Sequence, residues 1–131
     1  MKILVTGAEG FIGKNVKERM EGMNLSDGLS NTGWGDKIKI VGVDKEGAPD
    51  VYADLSADFN YQPELQIDGV IHLAAKAGVR TFASGDHDNN VNATRNLLRW
   101  MDACGVKFLI YASSSSVYGN AKIMDETTLA G

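Results

Sequence analysis

Three glycines at a spacing of three residues, G-x-x-G-x-x-G, are the strongest constraint on the fold of this chain. Gly7, Gly10 and Gly13 follow an apolar, β-branched run over residues 2–6 and precede a charged, helix-forming stretch over residues 14–21. The pattern predicts a strand that enters a helix through a tight turn. The free N–H groups at the start of such a helix, together with the helix dipole, form a seat for a diphosphate.

Each of the three glycines has its own steric role in this interpretation. Gly7 supplies the turn, Gly10 lets the backbone approach a phosphate, and Gly13 lets the helix pack on the strand. An ordinary glycine turn without a ligand is the alternative, because the spacing differs from the commoner G-x-G-x-x-G fingerprint. The choice between a diphosphate site and an ordinary turn therefore depends on the rest of the sequence.

An acidic residue, Asp44, follows the second predicted strand, residues 38–43. In a βαβ nucleotide-binding unit an acid at this point accepts hydrogen bonds from the adenosine ribose, and its charge repels a 2′-phosphate, which favours NAD over NADP. The stretch over residues 23–36 is rich in Gly, Ser and Asn, and it lengthens the path from Gly13 without moving Asp44 off its strand. An acid that merely ends a strand in a turn is the alternative.

The remaining hydrophobic pattern predicts an α/β fold. We expect a Rossmann-type, doubly wound, mainly parallel sheet in the order 3-2-1-4-5, with helices on both faces, formed as one NAD-binding domain over residues 1–131. The predicted strands cover residues 2–6, 38–43, 50–53, 69–73 and 107–112, and the predicted helices cover 11–22 and 89–105. The expected apolar positions are Ile12, Val16 and Met20 in the first helix and Val91, Leu97, Leu98 and Met101 in the second.

Composition narrows the class of protein further. The 131 residues, 44% of them hydrophobic, are enough for one globular domain with a core. The formal charge of −4 gives no general attraction to nucleic acid or an anionic membrane. The single cysteine, Cys104, suits a reducing, cytoplasmic location, and no apolar stretch approaches the roughly 18 residues of a membrane span. Asp86, His87 and Asp88 are adjacent in the chain and do not converge on one ion, so we predict no metal site.

Taken together, these stretches resemble the extended short-chain dehydrogenase/reductase superfamily, specifically its nucleotide-sugar epimerases and dehydratases. The segments over residues 77–80 and 111–119 are most similar to UDP-glucuronate (or UDP-glucose) 4-epimerases. The resemblance is carried by residues 6–13, Asp44, Asp54-Leu55, His72-Leu73-Ala74-Ala75, Asn90-Val91-Asn92 and 111–119, in family order.

The resemblance implies a role for particular residues in binding NAD and a nucleotide sugar. Ser114 is implied as the catalytic hydroxyl that hydrogen-bonds the C4 oxygen of the sugar, and Arg80, Ser115 and Ser116 as further substrate contacts. The implied cofactor-binding residues are Gly7, Gly10, Phe11, Ile12 and Gly13 at the diphosphate, Asp44 at the ribose, Asp54 and Leu55 at the adenine, and Leu73, Ala74, Ala75 and Asn92 towards the nicotinamide ribose, with Asn92 bracing the loop there. Without the resemblance, four serines after a strand are more typical of a hydrogen-bonded loop than of a catalytic site. In the same way, His72 is more typical of a packed, hydrogen-bonded residue than of a base.

The sequence departs from the family pattern at its carboxyl end. The family base is the tyrosine of a Tyr-x-x-x-Lys motif downstream of the serine loop, and the sequence ends at Gly131 before that point. Tyr118 and Lys122 match the motif by spacing, but they lie in the serine-loop region without a helix pattern. We therefore expect the N-terminal cofactor-binding part of an epimerase, inactive or nearly so by itself. A nucleotide-sugar 4,6-dehydratase fragment, a natural non-catalytic NAD-binding module and a two-chain enzyme are the alternatives, and an exposed sheet edge favours a homo-oligomer.

Overall fold

The structure is a computed structural model that describes residues 1–23, 37–77, 86–120 and 122–127, with the side chains of Asp86 and His87 left aside. The predicted contact at Arg80 therefore lies outside the described residues. The elements in chain order are β1 (Lys2–Thr6), α1 (Phe11–Met20), β2 (Lys39–Asp44), β3 (Val51–Tyr52), β4 (Gly69–His72), α2 (Asp86–Cys104), β5 (Leu109–Tyr111) and a 3₁₀ turn (Ser115–Tyr118).

The five strands form one sheet in the order β3-β2-β1-β4-β5, which confirms the predicted topology. Each of the four neighbouring pairs is parallel. Thr6 at the end of β1 lies beside Val43 of β2 on one side and His72 of β4 on the other. The carboxyl ends of the central strands thus meet at one edge of the sheet, where ligands bind in open α/β folds.

Alternate residues of β1 point to opposite faces of the sheet, and each face has its own apolar cluster. Leu4 belongs to the cluster under α2, which also contains Leu97, Trp100 and Met101. Ile3 and Val5 belong to the cluster under α1. Both faces of the sheet are therefore covered by a helix, as a doubly wound fold requires.

The buried face of α1 differs from the prediction at Ile12. Val16 and Met20 pack against the sheet cluster, but the side chain of Ile12 is 61% exposed. The face that meets the sheet is set by Gly13, which is buried and is followed by Val16 one turn later. Ile12 precedes Gly13 by one position, a rotation of about 100°, and so points away from the sheet.

In α2, too, the apolar stripe is narrower than the sequence pattern indicates. Leu97 and Met101 are buried as expected, whereas Val91 and Leu98 are 42% and 46% exposed. The helix also begins at Asp86 rather than Asn89. Trp100 completes the buried stripe, where its indole Nε1–H donates a 2.7 Å hydrogen bond to the Tyr61 carbonyl.

Candidate functional site

A groove with a volume of about 540 Å³ lies along the carboxyl edge of the sheet. Most of the predicted cofactor residues line it: Gly7, Gly10, Asp44, Asp54, Leu55, Leu73, Ala74 and Ala75. Phe11 and Ile12, at the start of α1, are exposed, and neither is among the residues that line the groove. Lining residues that sequence reasoning did not select include Glu9, Lys14, Lys45, Lys76, Asn89, Asn90 and Ala93.

The glycine turn between β1 and α1 has the geometry that a bound anion needs. Gly7 has a φ of +68°, and the Gly10 N–H donates to the Gly7 carbonyl at 3.2 Å. A Cβ built on Gly7 would lie 2.9 Å from the backbone nitrogen of Ala74, so the turn lies directly against the segment after β4. Gly10 is the N-cap of α1, and as a glycine it has no side chain to accept a hydrogen bond from the first N–H groups of the helix. These groups point to the groove end of the helix, where the dipole favours an anion.

Gly13 allows close packing at the start of α1, and the cofactor contact that the resemblance implies for it stays a prediction. A Cβ built at this position would lie 2.1 Å from the Gly7 carbonyl oxygen and 2.8 Å from the Ala8 Cα. Both are backbone atoms, so no side-chain movement would relieve the overlap. The glycine therefore allows α1 to start directly against the turn.

The carboxylate of Asp44 ties the end of β2 to the glycine turn. Its Oδ2 accepts a 2.9 Å hydrogen bond from the Glu9 N–H, and its Oδ1 accepts from the N–H groups of Lys45 at 2.8 Å and Glu46 at 3.2 Å. An ionised carboxylate has about four lone-pair sites, so it retains capacity for a further donor from the groove. Asp44 thus has a structural role and keeps an anionic group at the groove surface.

Asp54 lines the groove beside Leu55, and its carboxylate is held in the ionised form. The Ser56 hydroxyl donates to Asp54 Oδ1 at 2.7 Å and the Ser56 N–H donates at 3.0 Å, and these bonds lower the pKa of Asp54 below its usual value. Lys45, whose Nζ is 3.8 Å from Asp54 Oδ2, acts in the same direction. A second acid therefore borders the end of the groove near Asp44.

Glu9, inside the glycine turn, brings a third carboxylate that the sequence analysis did not single out. Its side chain is only 14% exposed and pairs with Lys17 at 3.6 Å and Lys14 at 3.8 Å. The two lysines offset a negative charge that would otherwise repel a diphosphate at the start of α1. Lys14 itself lines the groove.

At the other end of the groove, the segment after β4 is fixed by α2. Asn90 holds Lys76 through both backbone groups: Asn90 Oδ1 accepts from the Lys76 N–H at 2.8 Å, and Asn90 Nδ2 donates to the Lys76 carbonyl at 3.1 Å. The amide oxygen of Asn92 accepts from Arg95 at 2.8 Å, and its role in bracing the loop at the nicotinamide ribose stays a prediction. Two positions along a helix rotate a side chain by about 200°, so Asn90 and Asn92 face different directions. The N-N-V-N run contains three asparagines, and sequence alone does not select Asn90 as the one that holds Lys76.

His72 is a buried, hydrogen-bonded residue, as expected. It is 2% exposed, its Nδ1 lies 2.6 Å from Thr6 Oγ1, and its Nε2 lies 3.0 Å from Thr94 Oγ1. Burial lowers the pKa of the imidazole below 6.5, which keeps it neutral at physiological pH. Its ring belongs to the wall behind the groove.

The serine loop forms a 3₁₀ turn with exposed hydroxyls. Ser114 is its N-cap, where its Oγ accepts from the Ser116 N–H at 3.2 Å and donates to Ser116 Oγ at 3.1 Å. Ser115 begins the turn, which ends at Tyr118. Tyr118 and Lys122 therefore do not share a helix face, and the structure gives no support to the pair as a Tyr-x-x-x-Lys motif.

The described residues form neither a metal site nor a membrane-spanning helix. Within residues 1–23, 37–77, 86–120 and 122–127, no group of three His, Cys, Asp or Glu side chains is placed to hold a metal ion. Over the same part of the chain, no helix has the length and apolar character needed to span a membrane.

A parallel sheet in this order, with a glycine turn before α1 and an acid at the end of β2, defines an α/β fold of the dinucleotide-binding type. Comparison with known proteins agrees. The model of the "NAD dependent epimerase/dehydratase family" matches residues 3–131, and the chain belongs to that family.

Relatives within the family include nucleotide-sugar epimerases. The chain is 35% identical over 133 residues to a UDP-glucuronate 4-epimerase of Thermodesulfobacterium geofontis, a match that covers 88% of this chain and 40% of that protein. A crystal structure of UDP-galactose 4-epimerase superposes with a TM-score of 0.72 at 31% identity, covering 100% of this chain and 45% of the other. The UDP-glucose 4-epimerase of Bifidobacterium longum, solved in complex with NAD+ and UDP, also gives 0.72, at 25% identity and with coverage of 100% and 43%. The chain spans about two fifths of the length of the first curated relatives it matches.

Proposed function

We propose that this chain binds NAD in the groove and provides the cofactor half of a UDP-sugar 4-epimerase. The observation that carries the proposal is the joining of the glycine turn to Asp44 by the 2.9 Å hydrogen bond from the Glu9 N–H. This bond supports the proposal because it joins the turn at the start of α1 to an acid at the end of β2, and recognition of the adenosine half needs a helix N-terminus for the diphosphate and an acid for the ribose hydroxyls.

The residues present fit the cofactor along the whole groove. The first N–H groups of α1 would hold the diphosphate, Asp44 the adenosine ribose, and Asp54 with Leu55 the adenine. Leu73, Ala74 and Ala75 have small or apolar side chains, so a flat ring system can lie against the backbone there. Bound NAD would accept a hydride from the C4 carbon of the sugar and return it later.

For the sugar, we propose that Ser114 hydrogen-bonds the C4 oxygen, with Ser115, Ser116 and Arg80 as further contacts. The exposed hydroxyls of the 3₁₀ turn after β5 support this role, because they follow a strand that ends at the same edge of the sheet as β4. Removal of the proton from the C4 hydroxyl, as the hydride leaves C4 for NAD, also needs a base. Since Tyr118 and Lys122 are not on a common helix, we expect the 131-residue chain to bind NAD without measurable turnover by itself.

Calorimetric titration with NAD and with NADP tests the proposal. We expect NAD to bind more tightly, because the Asp44 carboxylate repels a 2′-phosphate. Asp44→Asn keeps an oxygen acceptor and removes the charge, so NAD affinity should fall about tenfold, the value of one charge-assisted hydrogen bond, while the preference over NADP narrows. Asp102→Asn, on the exposed end of α2, is the matched control and should leave both affinities unchanged.

Two results would contradict the proposal. One is equal or tighter binding of NADP by the unchanged chain. The other is an Asp44→Asn variant whose circular dichroism and NAD preference both equal those of the Asp102→Asn control.

A further inference from the structure

A continuous series of hydrogen bonds runs behind the groove from β1 to α2. Thr6 Oγ1 accepts from the N–H groups of Leu73 and Ala74, both at 3.2 Å, and the Leu73 N–H is shared with the Thr6 carbonyl. A threonine hydroxyl has two acceptor sites and one hydrogen. With both acceptor sites occupied, its hydrogen is directed to His72 Nδ1, 2.6 Å away.

This direction fixes the tautomer of His72. Because Nδ1 accepts, the ring hydrogen is on Nε2, which donates to Thr94 Oγ1 at 3.0 Å. The Thr94 hydroxyl in turn donates to the Asn90 carbonyl at 3.1 Å. Every donor in the series therefore has an acceptor, and the series satisfies only a neutral imidazole.

Both ends of the series reach backbone that lines the groove. At one end, Thr6 holds the N–H groups of Leu73 and Ala74. At the other end, Asn90 holds Lys76 by two hydrogen bonds. The wall over residues 73–76 is thus fixed from two sides, and it lies at the end of the groove opposite Asp44.

We propose that His72, as a neutral imidazole with its hydrogen on Nε2, is a positioning residue that holds the Leu73–Ala75 wall for the nicotinamide riboside half of NAD. This inference rests on the proposed function, because it assumes that NAD occupies the groove. The proposal assigns His72 an effect on the nicotinamide riboside half alone, since the adenosine half of NAD would contact Asp44 and the glycine turn.

Protonation of His72 breaks the series. An imidazolium donates from both nitrogens, so Thr6 Oγ1 must turn its hydrogen away from Nδ1 and give up one of its two backbone donors. The neighbours of the ring are Thr6 from β1, Thr94 from α2 and Tyr111 from β5, whose ring centroid is 5.7 Å away. Tyr111 is the one titratable group among them, and none of the three carries a carboxylate that would offset the charge of an imidazolium.

Paired ligands test the proposal. NAD and ADP share the adenosine diphosphate, but ADP has no nicotinamide riboside. We expect Thr94→Val, which keeps the side-chain shape and removes the acceptor of His72 Nε2–H, to release the wall and so cost NAD about one hydrogen bond, about tenfold in affinity. ADP affinity should be unchanged, and Thr94→Ser, which restores the hydroxyl, should restore the NAD affinity.

A histidine ¹H–¹⁵N correlation spectrum tests the tautomer without any ligand. The chain has two histidines, so a His87→Gln variant assigns the signals of His72. We expect the Nε2–H form at neutral pH, and NAD affinity that falls on acidification in step with protonation of His72 while ADP affinity does not follow it.

Three outcomes would overturn the inference: an Nδ1–H tautomer, equal losses of NAD and ADP affinity in Thr94→Val, or NAD affinity that is constant through the protonation of His72. If the unchanged chain binds ADP but not NAD, the proposed function fails as well. Binding of NAD with an unaffected Thr94→Val variant would instead leave the proposed function in place and remove only the role of His72.

Discussion

Replacing Gly13 by alanine separates helix propensity from the packing of α1 on the glycine turn. In the interior of an isolated helix, a Gly→Ala change stabilises by about 0.5–1 kcal/mol. Here the added Cβ would lie 2.1 Å from the Gly7 carbonyl oxygen, more than 1 Å inside normal contact distance. The start of α1 must therefore move away from the turn.

The size of the effect follows from what resists that movement. Overpacking against groups that cannot rotate away costs about 1–3 kcal/mol, and the movement strains the 3.2 Å hydrogen bond from the Gly10 N–H to the Gly7 carbonyl. After the gain in helix propensity is subtracted, we expect the free energy of unfolding to fall by about 1–2 kcal/mol. NAD affinity should fall about tenfold or more, since the first N–H groups of α1 would no longer converge on one diphosphate.

Urea denaturation followed by circular dichroism, together with calorimetric titration of NAD, measures both effects. Glu18→Ala is the control, because it introduces alanine at an exposed position of the same helix and should change stability by about 0.5 kcal/mol or less. A Gly13→Ala variant that is as stable as the unchanged protein and binds NAD equally well would refute the reasoning.

Three further predictions concern the core. Leu97→Ala, at a fully buried position, should cost about 2–5 kcal/mol in urea denaturation, whereas Leu98→Ala on the exposed side of α2 should cost far less; equal losses would contradict the assigned faces. Trp100→Phe, which leaves the Tyr61 carbonyl without its donor, should cost about 1–3 kcal/mol, and an unchanged midpoint would count against that hydrogen bond. Because burial holds the pKa of His72 below 6.5 in the folded state, the unfolded state binds the proton more readily. Its contribution to stability should be complete above pH 6.5 and be lost as the pH falls below it; a His72→Gln variant with the same pH dependence would contradict this assignment.

Local pattern was sufficient to predict the sheet. Each strand is a short apolar run that ends in Gly, Asp or small residues, and the order 3-2-1-4-5 follows from the right-handed connections of a doubly wound fold. The glycine turn and Asp44 were predictable for a related reason, because their positions are set by neighbours only a few residues away in the chain. The fold and the seat of the diphosphate depend mainly on such local rules.

The sequence is least informative where one residue has to be chosen from several that local pattern does not distinguish. Asn90 and Asn92 differ only in the direction in which α2 presents them, and that direction depends on how Leu97 and Trp100 pack under the sheet. Ile12 is apolar and precedes a buried glycine, yet the contact at Gly13 rotates its side chain outwards. Glu9 in the glycine turn pairs with Lys17, eight residues later in α1. This spacing alone gives little reason to expect the pair.

Mapping NAD onto the backbone amides of the ¹⁵N-labelled chain tests the central claim most directly. We expect NAD to shift the amide signals of residues 7–12 at the glycine turn, of Asp44 and Lys45 at the end of β2, and of residues 73–76 after β4. Signals of Leu97 and Trp100, which lie in the later turns of α2 and do not line the groove, should stay in place. Shifts confined to β5 and the 3₁₀ turn, or no shifts at saturating NAD, would contradict the assignment of the groove as the NAD site.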